Sequence, residues 1–191
     1  MFHANSQRII ADWNARRGVR LAPRRADISP ADFRDLLPQL FILGRGDDGD
    51  EPFRLAGGLL VDLHGRDLRQ VCFYSLWSRS DAVTLRHAMA TARSEASPVV
   101  LQATAWTAAG DDATLEIVAA PLTGATGEMD RTLGLYQPTA SLRRLMGAPV
   151  SGLVLDSVRL ADGEEIPARP AYARPSRAHL RLVASGGERI A

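Results

Sequence analysis

Lysine is missing altogether from this chain, so every one of its 23 strong bases is an arginine. Chemistries that need an ε-amine are thereby excluded: the phosphate-loop lysine, the Schiff-base lysine and the kinase strand lysine. Cysteine occurs once, as Cys72, and cannot build an intramolecular disulfide framework. Histidine occurs four times, and there is no Gly-x-Ser-x-Gly elbow, His-Glu-x-x-His helix or glycine-rich dinucleotide turn, which argues against an enzyme of those classes. No apolar run is long enough to cross a bilayer, and Met1-Phe2-His3-Ala4 lacks the charged-then-apolar order of a secretory signal. The expected location is the cytoplasm. A net charge of +1 supplies no overall field for nucleic acid or an anionic membrane.

What remains is an ordinary globular composition, 46% apolar over 191 residues, enough for one core with extensions. The organising segment is 80–96. Wound as a helix, it aligns Ala82, Leu85, Ala88, Met89, Ala92 and Ala96, while Thr84, His87, Thr91 and Ser94 fall outside the stripe. Ser80 is the expected cap, and Ser97-Pro98 ends the run. Because the stripe is built of small residues, the helix can lie close to a sheet or leave space beneath it.

Residues 6–17 predict a shorter helix with Ile9, Ile10 and Trp13 on one face, either packed on its own domain or pairing with a second copy. Ser29-Pro30 opens a brief helical turn. Leu40-Phe41-Ile42-Leu43 and Phe53-Arg54-Leu55-Ala56 read as strands joined by the acidic turn 46–50, which lacks the ligand spacing of a calcium loop. Leu59, Leu60 and Leu63 share a short helical face before Gly65. Three strands follow the central helix, 99–107, 114–122 and 132–137, the first two alternating so that one face is greasier. Beyond Pro149, 153–160 could be a strand and 180–183 a last one. The proline-broken stretch 168–177 carries Arg169, Arg174 and Arg177, as a connector or as a site for an acidic partner.

Two strands, several short helical turns, one longer helix and a three-strand meander is an order that resembles the PAS sensory fold. Phe53-Arg54-Leu55-Ala56-Gly57, Gly65-Arg66-Asp67-Leu68, Leu76-Trp77 and Ser97-Pro98 are similar to a proteobacterial PAS-like family of short stand-alone proteins. The similarity spans about 22–144 and returns faintly at 179–187. It implies an α+β domain: a five-stranded antiparallel sheet with the short helices and one longer helix across one face. The chain then divides into an N-terminal helix and linker (1–21), the PAS-like domain (22–144) and a C-terminal extension (145–191). The resemblance further implies a bacterial signalling module that binds a partner protein or a small molecule, forms a homodimer through the terminal helix or the exposed sheet face, and is not itself a catalyst.

Candidate ligand contacts are Arg54, Tyr74, Trp77, Gln102, Trp106 and Tyr136: an arginine able to grip an anion, with polar and aromatic walls. Which strand face points inward is left open. Arg54 has a structural alternative, a salt bridge to Asp67. The cofactor is not legible. A flavin photosensor would need an Asn-Cys-Arg-Phe type motif, whereas Cys72 stands in Gln70-Val71-Cys72-Phe73 and reads as a small packing residue. Haem would need a ligand such as His64 at the end of its short helix, a place where histidine more often caps or meets water. A nucleic-acid reading would rest on Arg20, Arg24, Arg25 and the tail arginines, against the near-zero net charge.

Overall fold

The computed structural model describes residues 1–145 and 147–166, so the tail segments 168–177 and 180–183 and the faint similarity at 179–187 lie outside the described residues. Helix α1 (Ala4–Arg17) leads through short 3-10 turns to β1 (Leu40–Gly44) and β2 (Phe53–Ala56). Helix α2 (Gly58–His64), a 3-10 turn at Phe73–Leu76 and helix α3 (Arg79–Ser94) follow, then β3 (Val99–Thr107), β4 (Asp112–Leu122), β5 (Arg131–Pro138) and β6 (Val150–Leu160). The sheet is antiparallel throughout, in the order β2-β1-β5-β4-β3-β6.

Two details of the expected architecture are corrected. The sheet has six strands rather than five, because β6 pairs along the whole of β3 and completes its open edge. Its inward residues change parity, from Leu153 and Leu155 to Val158 and Leu160, because Gln102 pairs with Ser157 while Ala103 pairs with Leu155. That bulge at Asp156 inserts one residue and flips the phase. The cap of α3 is Ser78 in place of Ser80; its hydroxyl accepts from the Asp81 amide at 3.1 Å.

Each face of the sheet has its own core. On the inner face, Phe41, Leu43, Val99, Leu101, Leu115, Ile117 and Tyr136 pack against Leu60 and Leu63 of α2 and Leu85, Ala88, Met89 and Ala92 of α3. The outer face buries Leu40, Ile42, Val100, Val118, Ala120, Leu133 and Leu135 under Ile9 and Trp13 of α1 and under Phe33 and Leu36. Trp13 Nε1 donates to the Pro121 carbonyl at 2.6 Å, fixing α1 against β4. The stripe of α1 is therefore buried on its own domain, and much of the sheet face expected to be exposed is covered. Double coverage also explains why β4 is buried on both faces from Leu115 to Leu122, where alternation predicted one greasier side.

Candidate functional site

The space between the inner sheet face, α2 and α3 is closed by rings. Phe41 lies 5.5 Å from Phe53, 5.9 Å from Phe73 and 5.7 Å from Tyr136, centroid to centroid, and Trp77 is 5.7 Å from Phe73. Phe41 can sit this deep because its cross-strand partner is Gly134, where the far end of the ring occupies the place a Cβ would take.

His64, Trp77 and Tyr136 carry polar atoms into this largely apolar interior. His64 is the last residue of α2, and Gly65, at φ 62°, closes the helix with a left-handed turn against Pro149. Trp77 follows the 3-10 turn and immediately precedes the Ser78 cap of α3. Tyr136 stands on the inner face of β5, opposite Ile117. All three are buried, and among the described residues His64 Nε2, Trp77 Nε1 and the Tyr136 hydroxyl have no hydrogen-bond partner. Buried polar groups are normally paired, and an unpaired one costs about 1–3 kcal/mol. The His64 and Tyr136 rings meet edge-on at 6.2 Å. Burial, and secondarily the Arg66 charge, lower the His64 imidazole to about 4, so it is neutral at physiological pH. Burial likewise raises the Tyr136 phenol and keeps it protonated.

The His64 shift has a sign. Between its ordinary 6.5 and about 4, the unfolded chain takes up a proton that the folded chain refuses. Stability is therefore expected to fall as pH drops through that window, by about 3 kcal/mol in all. Thermal denaturation at pH 7 and pH 4.5 checks it: the natural chain should lose more than the His64→Asn variant, and parallel profiles would refute the assignment.

A second polar cluster pins α3 to the β1–β2 connection. Glu51, only 1% exposed, accepts from the Tyr74 hydroxyl at 2.8 Å and from Arg93 at 2.7 Å. Two helical turns earlier, Arg86 pairs with Asp50 at 2.5 Å and stacks 4.3 Å above the Tyr74 ring. Arg86 holds the Asp50 carboxyl below its usual range, while burial and Glu51 raise the Tyr74 phenol.

The expected contact residues thus divide. Trp77 and Tyr136 share the interior with His64, and Tyr74 lies behind them, committed to Glu51. Gln102 and Trp106 face the other way: Gln102 donates to Glu116 at 2.7 Å beneath α1, and Trp106 is 41% exposed beside Gly152. Arg54 is also exposed and bonds Gln70 at 3.0 Å, while Asp67 takes Arg69 as its partner. His64 faces the interior rather than solvent, and Cys72 is half-buried beside Asp50. Sequence reasoning missed Glu51 and Arg93, which lie 42 positions apart and share no local pattern.

Among the described residues, no three His, Cys, Asp or Glu side chains gather as a metal site, and no helix is long and apolar enough to cross a membrane. No curated protein matches the chain in sequence. Among solved structures it is similar to the dark structure of the blue-light photoreceptor Aureochrome1 LOV, at a TM-score of 0.45 and 14% identity, covering 60% of this chain and 86% of that one. It is also similar to an RNA-binding light-oxygen-voltage receptor, at a TM-score of 0.43 and 15% identity, covering 61% of this chain and 35% of that one. A family model described as a PAS domain matches residues 1–137, well over half of the chain. With its two-faced antiparallel sheet and helix-covered interior, the chain belongs to the PAS domain family.

Proposed function

We propose that this protein is a non-catalytic cytoplasmic signalling module that takes a small molecule between α3 and the inner sheet face and passes the resulting change to a partner protein. The observation that carries the reading is the set His64, Trp77 and Tyr136, polar side chains buried without partners among the described residues in a largely apolar interior. A ligand that satisfies them favours the state in which it is enclosed, and by differential affinity shifts the packing of α3 on the sheet. The Glu51–Arg93 and Asp50–Arg86 pairs connect that helix to the β1–β2 turn, giving the shift a route to the surface. A homodimer would form over the outward side of α1 and the uncovered strip that carries Trp106.

Native mass spectrometry of the purified chain, light scattering and pull-down from the native cell test this together. A retained or inducible small molecule and a captured partner support it; a bare monomer with neither counts against it. A haem sensor is the second reading, favoured by the unpaired Nε2 of His64, which would serve as axial ligand to the iron. Its absorbance decides. A flavin adduct is not favoured, because Cys72 lies half-exposed beside Asp50 and lacks the flanking asparagine and arginine of the flavin motif.

A further inference from the structure

We infer that the loop following α1, residues 18–25, docks this protein on an anionic lipid surface, with Val19 and Leu21 entering the acyl boundary and the neighbouring arginines meeting the headgroups. The sequence there is one-sided: positions 16–25 hold five arginines and no carboxylate. Two aliphatic residues stand among them.

The structure inverts the usual order of burial. Val19 is 106% and Leu21 69% exposed, more than any other large apolar residue of the described chain except Met1. Arg20, which stands between them, is drawn back instead. Its Nη2 donates to the Arg16 carbonyl at 2.6 Å and pairs with Asp27 at 2.8 Å, while its Nε reaches the Arg17 carbonyl at 3.3 Å. Those carbonyls are among the groups that the last turn of a helix leaves open, so Arg20 caps α1 and its two neighbours are left in water. The far end of the loop is fixed as well: the Arg25 amide donates to the Thr123 carbonyl at 2.8 Å, and the Thr123 amide to the Pro23 carbonyl at 2.9 Å. A braced loop therefore holds an apolar pair outward. Single exposed aliphatics such as Leu37 or Val83 are ordinary, but a pair held out around an inward arginine gains free energy only when an apolar phase covers it.

Charge selects the phase. Arg16 is taken by Asp12 and Asp32, and Arg20 by Asp27. Arg17, Arg24 and Arg25 make no salt bridge among the described residues: Arg17 lies over the Trp13 ring, Arg25 donates to the Ile28 carbonyl and Arg24 is exposed. Surface charges act over about 10 Å at 0.1 M salt, so an approaching surface meets these cations and not the chain's total of +1. An electrostatic and an apolar signal side by side are the combination that holds a protein at a lipid interface without crossing it. A protein partner fits less well, because a stable interface covers about 800 Å² on each side and this tip is two side chains on a loop.

The test uses the full chain with vesicles of phosphatidylcholine, either alone or with about one third phosphatidylglycerol. Co-sedimentation is expected with the mixed vesicles only, and high salt should reverse it. Val19→Ser/Leu21→Ser should weaken it at least tenfold at unchanged Tm, since both side chains lie outside the packed fold. Val19→Trp should add an indole that brominated acyl chains quench, measured against the natural chain. The inference is overturned by no sedimentation with the mixed vesicles, by sedimentation that the double serine variant leaves as strong, or by an added indole that brominated lipid does not quench. Self-association in light scattering that the double serine variant abolishes would assign the tip to a second copy, and overturns it too. Each of these outcomes leaves the small-molecule reading standing, which retained mass decides.

Discussion

Replacing Arg93 with methionine is expected to cost the fold about 3–5 kcal/mol, the range for removing one partner of a buried ion pair. Among the described residues Arg93 is the only cation bonded to Glu51, whose carboxylate is 1% exposed, and the arginine side chain itself is only 15% exposed. Methionine fills a similar volume but abandons a buried anion to a single neutral donor, the Tyr74 hydroxyl. For a chain of this size the loss corresponds to a fall in Tm of roughly 10 °C. The double variant Glu51→Gln/Arg93→Met should recover much of it, since an amide carbonyl still accepts from Tyr74 without a charge to solvate. Arg86 supplies the contrast: its pair with Asp50 is more than a third exposed on both sides, and Arg86→Met should cost no more than about 1 kcal/mol. Urea denaturation of the four chains measures all of this. A loss in Arg93→Met no larger than in Arg86→Met would show that Glu51 is not held by Arg93.

The elements that were legible in the sequence are those whose residues answer to local rules. Strand β3 has the expected bounds, and α3 lies within two residues of its expected ends, because alternation and a small-residue stripe are written into consecutive positions. Strand β6 was less readable, since the bulge at Asp156 breaks its period and makes 153–160 look irregular. The inward face of the meander could not be chosen because α1 makes the outer face apolar too. Val100 and Val118 are as buried as Val99 and Ile117, so Gln102 and Trp106 passed for pocket residues while lying on the opposite side. His64 was misleading for another reason: a histidine at a helix end ordinarily meets water, and only Gly65 turning against Pro149 brings it inside. Glu51 follows directly on a run of solvated acids, and nothing nearby in sequence separates it from them. Its partner comes from α3 and its second donor from the turn before α3, a convergence that exists only after folding.

Gly134→Ala is expected to destabilise the fold by about 3 kcal/mol, the upper end of the overpacking range. A Cβ at this position would clash with Cζ, Cε1 and Cε2 of Phe41, far inside contact distance of all three. Side chains usually relieve such a clash by rotating, but Phe41 is fully buried and hemmed by Phe53, Phe73 and Tyr136, each within 6 Å. Backbone relief is closed off as well, because β5 is paired on one side to β1 and on the other to β4. The added methyl must therefore displace the aromatic stack as a unit, carrying Tyr136 with it. A double-mutant cycle separates this account from a general intolerance of side chains on β5. Phe41→Leu alone should destabilise by leaving space among the rings, yet Gly134→Ala/Phe41→Leu should be more stable than Gly134→Ala by itself, because the smaller side chain accepts the methyl. Additive losses in that cycle would mean that the Phe41 ring is not what requires glycine at position 134.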